Sequence, residues 1–330
     1  MENTIKEYLE GLKFGRKQVC RNLCMFPALS TDAVSFDYAT LDEALSDGRV
    51  EVVEVDDGGS VPELKVVNRS PGLVLILDGE ELVGAKQNRI VNTSILLRGK
   101  STTLIPVSCV EQGRWSYRSR RFNTENRMLS QRLRGRKAEQ VTDAVRFSGE
   151  FRSDQGAIWE GIAEQAERMR AESPTGAMAA IFEKEMPSIR EYARRFRPVD
   201  GQVGAVFMIN GAVAGLEAFG KHGTFEKVFE KLLQSYVLDA IDWFDPETEH
   251  KFLKSEVTRF MKSAMRTRPD PHPSVGAGTD CRMESDRIAG FALVLDKEIL
   301  HVSLFAKEND EKGARPGMQR YSRRRRNQIS

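Results

Sequence analysis

Cysteine and histidine are scarce, four of each among 330 residues. That leaves little material for a disulfide framework or a metal centre. Cys20 and Cys24 lie four apart and would share a face of a helix, but no second Cys or His pair follows at zinc-ligand spacing. Buried thiols are the simpler expectation. Long apolar runs are missing too. No stretch approaches the roughly 20 residues that span a bilayer, and the opening Met1-Glu-Asn-Thr-Ile-Lys-Glu-Tyr8 has neither the basic nor the apolar region of a secretory signal. A cytoplasmic chain with no membrane partner is expected.

A surplus of charge of one sign is also absent, with 50 Lys and Arg against 48 Asp and Glu. An apolar share of 40% beside 30% charged residues of both signs fits a folded chain rather than a disordered one. Local charge is far less even. Residues 114–137 hold nine basic side chains and one acid, Glu125, for net +8, and residues 309–330 hold seven basic and two acidic, for net +5. The remaining 284 residues therefore carry net −11 out of the total of +2. An acidic body with two basic segments matters for any phosphate-bearing partner.

Three segments share one pattern: Gly72-Leu-Val-Leu-Ile-Leu-Asp78-Gly79, Gly204-Ala-Val-Phe-Met-Ile-Asn210-Gly211 and Gly290-Phe-Ala-Leu-Val-Leu-Asp296-Lys297. A Gly, five apolar residues, an Asp or Asn and a second apolar run predict three buried hairpins, possible products of duplication, that could join in one sheet. In the first return strand, Leu82-Val83-Gly84-Ala85, Gly84 predicts a bulge or a close backbone approach. Helices are predicted from Asp154 to Ala171, then past a break at Ser173-Pro174-Thr175 with Pro187 kinking or splitting the next, then from a cap at Thr224, then over about 246–267. Residues 267–279 read as a Pro/Gly-rich loop, either a lid or irregular surface, and the Arg-rich tail over 309–330 as disordered. The fold class is α+β: a β-rich N-terminal half, a helical layer from about 154 to 267, a short segment over 1–24 and one integrated domain over 25–308, with no linker placed confidently between 140 and 155.

The densest polar cluster is Asp78-Gly-Glu-Glu-Leu-Val-Gly-Ala-Lys-Gln-Asn-Arg-Ile-Val-Asn92, which starts and ends in apolar strands. Burying charge without partners costs several kcal/mol. Its Glu80, Glu81, Lys86, Asn88, Arg89 and Asn92 either pair with one another or meet a polar ligand. Alternation sets Glu81, Val83 and Ala85 on one face and Glu80, Leu82 and Gly84 on the other; beyond the bend, Gln87, Arg89 and Val91 lie opposite Lys86, Asn88 and Ile90. Cations for phosphate, amides for a base or ribose edge and carboxylates for hydroxyls suit a nucleotide-like ligand. A second segment, Thr103 to Trp115, adds Glu111, Arg114 and Trp115 around Gly113. Glu111 and Arg114 could close an ion pair, or Arg114 with Trp115 could offer a base a cationic stacking surface. Cys109 has no nearby His and reads as a small core residue rather than a nucleophile.

These motifs, with Ser173-Pro-Thr175 and Leu232-Leu-Gln-Ser-Tyr236, resemble the ARG and Rhodanese-Phosphatase-superfamily-associated Protein domain over roughly residues 25–306. The resemblance implies company with ADP-ribosylglycohydrolases and a role around ADP-ribose or another NAD-derived nucleotide, without fixing a reaction. Stretches 80–92 and 109–115 carry the ligand site it implies; Lys297 and the tail match none of its motifs.

Three functions remain open: binding, and hydrolysis or transfer, of an ADP-ribose-like nucleotide; a nucleic-acid-associated module using residues 114–137; and a non-enzymatic ligand sensor or assembly partner. In the first, Glu80, Glu81 and Glu111 are candidate acid–base groups, while Lys86, Asn88, Arg89, Asn92, Arg114 and Trp115 would hold the ligand. No cofactor is assigned, though a carboxylate pair could carry a divalent ion. His301 reads as a structural histidine, and His222 with Lys221, ahead of a helix, as a candidate phosphate contact. The isolated Gly-Lys pairs lack P-loop spacing, so no ATPase is inferred.

Overall fold

The computed structural model describes residues 2–31, 34–56, 58 and 62–307. The predicted basic tail over 309–330 lies outside the described residues. Among these are seven helices: α1 (Glu2–Gly11), α2 (Leu41–Ser46), α3 (Gln131–Ser148), α4 (Gln155–Arg168), α5 (Ala179–Ala193), α6 (His222–Asp242) and α7 (Lys254–Arg266). Eighteen strands accompany them, so the class is α+β with a β-rich N-terminal half. No helix among the described residues is long and apolar enough to cross a membrane.

A nine-stranded sheet forms the spine, with eight strands in the order Lys13–Phe14, Leu23–Leu29, Gln202–Ile209, Ala212–Phe219, Glu298–Ala306, Ile288–Leu295, Thr279–Glu284 and Pro269–Pro273. Gln18–Cys20 adds to Leu23–Leu29, and every pairing is antiparallel. Both faces are apolar, as alternation along fully buried strands requires. On one face Val206, Met208 and Leu216 meet Ile5 and Leu9 of α1 and Phe260 and Met261 of α7. On the other, Ala205, Phe207 and Ile209 meet Phe182 of α5 and Leu232, Leu233 and Tyr236 of α6.

The N-terminal half adds two smaller sheets. Tyr38–Thr40, Leu73–Ile76 and Ile95–Leu97 make a three-stranded sheet. Six strands, Val50–Glu54, Glu63–Asn68, Glu80–Gly84, Arg89–Val91, Ser101–Cys109 and Phe122–Met128, close a barrel. Its core gathers Val50, Val52, Leu64, Val66, Leu82, Val91, Ile105, Val107 and Phe122. In each strand these residues alternate with others, so one parity points inward.

Two of the predicted hairpins form, side by side in the long sheet. Asn210 and Gly211 have φ of 52° and 80°, and Asp296 and Lys297 have φ of 48° and 66°, the doubly left-handed turn that matches strand twist. The first predicted hairpin does not form. Leu73–Ile76 pairs within the small sheet, while Glu80–Gly84 pairs within the barrel. Asp78-Gly79 instead carries the chain from one sheet to the other: the Gly79 N–H donates to the Val91 carbonyl (2.8 Å), and the Asp78 carboxylate is taken by Arg134 and Lys137 of α3. All three hairpins therefore do not join in one sheet.

Other boundaries differ as well. Helix begins at Gln131, inside the basic stretch, and the strands between 202 and 219 interrupt the expected layer. Pro187 stays inside α5 without ending it; it is exposed, so water can serve the carbonyl it leaves unpaired. α6 starts at His222, placing Thr224 inside the helix, where its hydroxyl donates to Tyr38 Oη (2.9 Å). α7 starts only at Lys254. The predicted 267–279 loop contains the strand Pro269–Pro273, which forms the sheet's outer edge, where missing proline N–H groups cost least. At Gly84 the close approach is real: φ is 138°, and a Cβ would lie 2.5 Å from the Arg121 carbonyl oxygen.

Phe122 is 1% exposed in the barrel core. Phe122→Ala is expected to cost about 3–5 kcal/mol in urea unfolding, as large-to-small changes in packed cores do; a loss below 1 kcal/mol would mean the barrel interior is not packed as described.

Candidate functional site

One end of the barrel brings together residues that end or begin strands. Glu54, Gly84 and Cys109 are last residues and Arg89 a first, and Cys109 faces Arg89 across the ladder. Each shares the inward parity of its strand. The core thus gives way to a buried polar layer: a carboxylate, a guanidinium and a thiol.

Arg89 is 0% exposed. Its Nη1 donates to Gln87 Oε1 (2.8 Å), whereas Nε and Nη2 are buried without a hydrogen-bond partner among the described residues. These two groups lie on one side of the planar guanidinium and form the fork that grips two oxygens of one anion. The Cys109 thiol donates to the same Gln87 oxygen (3.1 Å), and burial pushes its pKa above the ordinary thiol value. Burial likewise lowers the pKa of Arg89, against the raising influence of Cys109 and Glu54. Glu54 accepts from the Lys86 N–H through Oε1 (3.3 Å), but its Oε2 is buried and unpaired. Above them the Trp115 ring lies 5.7 Å from Arg89 Cζ, and Lys86 Nζ lies 5.3 Å from the Trp115 and 5.2 Å from the Tyr117 ring centroids. Trp115 is 48% exposed and opens the loop that carries the exposed Arg118, Arg120 and Arg121.

The three carboxylates expected to do acid–base work are already engaged. Glu80 holds Lys231 together with Asp42, and its Oε2 accepts from the Leu77 N–H (3.0 Å). Glu81 accepts from Arg127 Nε (2.6 Å) and Asn88 Nδ2 (3.2 Å). Glu111 accepts from Arg114 Nη2 (2.6 Å), the Asn88 N–H (3.3 Å) and Thr175 Oγ1 (3.0 Å). Desolvation raises Glu80 and Glu81 despite their cations. Burial would raise Glu111 too, but Arg114, the Asn88 amide and Thr175 together hold it below the ordinary carboxylate value.

The structure therefore gathers Lys86, Arg89 and Trp115 at the barrel end, with Asn88, Glu111 and Arg114 bonded together beside them. Arg114 also donates to the Ala85 carbonyl (2.7 Å) and Asn88 Oδ1 (3.0 Å), tying the 85–88 bend in place. Asn92 donates to the Phe151 carbonyl (3.1 Å) and accepts from Ser108 (2.8 Å). It is not joined to the Arg89 cluster by any of these bonds, and neither is Glu80. Glu54 and Gln87 were absent from the expected set. Glu54 was legible: it continues the inward parity of Val50 and Val52.

The remaining singled-out groups are spoken for. His301 is fully buried, with Nδ1 on Ser94 Oγ (2.8 Å) and Nε2 on Glu217 Oε2 (3.0 Å), and it stacks on Phe219. Serine, histidine and carboxylate are in line, yet all three are 0% exposed, and Ser94 Oγ also accepts from the Asp78 N–H (2.9 Å). His222 Nδ1 meets the Gln202 carbonyl (2.6 Å), and Lys221 holds Asp37 (2.7 Å). Among the described residues, no group of three or more His, Cys, Asp or Glu side chains is placed to hold a metal ion. In the basic stretch, Arg114, Arg127, Arg132, Arg134 and Lys137 are buried, leaving four of nine cations exposed.

Fold and site together define an α+β protein whose small closed barrel, packed against α2, α4 and α6, ends in a buried cationic and aromatic cluster. The family model for the ARG and Rhodanese-Phosphatase-superfamily-associated Protein domain matches residues 11–305, and the chain belongs to that family. Neither a curated protein nor a solved structure matches it.

Because the folded state holds Glu111 below its unfolded pKa of roughly 4.3, its contribution is present above that pH and lost as pH falls through the folded value. Glu111→Gln strands Arg114 and should cost about 3 kcal/mol at pH 7. In paired urea titrations the gap to the parent should narrow toward pH 3; a gap independent of pH would contradict the ion pair.

Proposed function

We propose that the protein binds an ADP-ribose-like or other NAD-derived nucleotide at the barrel end formed by Glu54, Lys86, Arg89 and Trp115. The observation that carries this reading is Arg89, a fully buried cation with the bidentate side of its guanidinium unmatched. Buried N–H groups left without partners cost about 1–3 kcal/mol each, so a site that keeps two of them favours an anion that fills the fork. The Trp115 and Tyr117 rings offer a base a stacking surface, and exposed Arg118 and Arg120 add cations beside it. Family membership is consistent with this reading, since the family is named for its association with ARG and rhodanese-phosphatase proteins.

Hydrolysis or transfer at this end requires a carboxylate with a free oxygen. Glu80, Glu81 and Glu111 are each committed to a cation, whereas Glu54 Oε2 is not. A ligand sensor would use the same contacts without turnover. The nucleic-acid reading is weaker, because five of the nine cations in residues 114–137 are buried, four of them on carboxylates.

Calorimetry with ADP-ribose, NAD and AMP tests the proposal. Native protein should bind at least one of them at micromolar to low millimolar concentration, and Arg89→Ala should weaken binding at least tenfold. No binding to folded native protein at millimolar ligand would overturn it.

A further inference from the structure

Resting on the nucleotide reading and making it specific, we propose that the polar end of the barrel takes the ribose-phosphate end of the ligand. Arg89 grips one phosphate through Nε–H and Nη2–H, and Glu54 Oε2 accepts a hydroxyl of the adjoining ribose. The base stays outside, on Trp115. The two unmatched groups are of opposite kind. Arg89 offers two donors, Glu54 one acceptor, both side chains are more than nine-tenths buried, and Glu54 is close enough to act on Arg89 electrostatically. They do not satisfy each other directly. A ligand that satisfies both must accept twice on one side and donate on the other, as a phosphate ester with a neighbouring hydroxyl does.

A purine has the wrong complement for this position. Its ring edge cannot present two anionic oxygens to the fork, and stacking needs an aromatic face, which the polar layer of Glu54, Gln87, Arg89 and Cys109 does not provide. That face lies instead on Trp115, whose ring lies over Arg89 and is about half exposed. Trp115 sits on the exposed stretch 115–121, so the surface that shields the fork is also the surface that can give way to a ligand. Exposed Arg118 and Arg120 follow it and suit a second phosphate. The order from inside to outside is then ribose, diphosphate, base.

Ribose 5-phosphate, inorganic phosphate, adenosine and ADP-ribose are the probes, measured by calorimetry and by competition on native protein. Ribose 5-phosphate should bind and displace ADP-ribose; adenosine should do neither. Glu54→Gln, nearly isosteric, should weaken ribose 5-phosphate relative to inorganic phosphate about 10- to 100-fold, the loss of one hydrogen bond to a charged group. Arg89→Lys should weaken both, and Trp115→Ala should weaken ADP-ribose but not ribose 5-phosphate. If ADP-ribose binds while ribose 5-phosphate neither binds nor competes, the orientation is wrong and the nucleotide reading stands. If ribose 5-phosphate binds with this dependence on Glu54 and Arg89 while no nucleotide binds, the seat stands and the nucleotide reading falls. If neither binds native protein, both fail. Competition on native protein decides the orientation even if a variant does not fold.

Discussion

Burying charge is tolerable only when every charge has a partner, and this fold is organised around meeting that condition at Asp78. The carboxylate ends the small sheet and takes Arg134 and Lys137 from α3; Arg134 continues to Glu217 in the long sheet (2.7 Å), which holds His301, which holds Ser94 back beside Asp78. Two sheets and a helix are thus fastened through one chain of fully buried polar groups, and Lys137 ties in the barrel by donating to the Val91 carbonyl (3.3 Å). Such a chain adds little net stability over an apolar core, but removing one member strands its neighbours, so it fixes which elements meet. It also explains why the Asp78-Gly79 turn, which has hairpin chemistry, makes no hairpin: the Asp side chain is drawn toward α3, and Glu80–Gly84 leaves with it into the barrel.

The same rule explains most of the polar stretch from Glu80 to Asn92. Glu80 closes on α6 through Lys231, Glu81 on Arg127, and Glu111 on Arg114. Half the net charge surplus of residues 114–137 is consumed in the process, since Arg114, Arg127, Arg134 and Lys137 each answer a buried carboxylate. Against that background Arg89 and Glu54 stand out, two buried ionic groups whose unpaired donors and acceptor do not meet each other. An anion with a hydroxyl beside it resolves both.

Much of the fold could be read from the residues. Apolar runs ending in Asn-Gly and Asp-Lys yield the two hairpins of the long sheet because local turn chemistry and the twist of the strands agree there. Gly84 announced its tight contact through the absence of a side chain. What local pattern could not show was partner choice. Leu73–Ile76 and Glu80–Gly84 are each buried on both sides, and nothing within eight residues tells which distant strand completes each. Prolines 269, 271 and 273 read as a loop because the missing N–H groups argue against a strand, and only the sheet edge reconciles the two. Within the site, the residue types pointed to pairing or to a ligand without separating them. Separation required knowing that Arg127 reaches Glu81 from 46 positions away, while among the described residues no hydrogen-bond acceptor meets the fork of Arg89.

That unmatched fork is the centre of the account, and the Nε–H of each arginine reports on it. With ribose 5-phosphate added to uniformly nitrogen-15-labelled protein, the Arg89 Nε–H resonance should shift saturably and become protected from exchange, while those of Arg114, Arg127 and Arg134, already held by carboxylates, stay in place. An unmoved Arg89 signal, or a shift confined to the exposed arginines of the 118–121 loop, would contradict it.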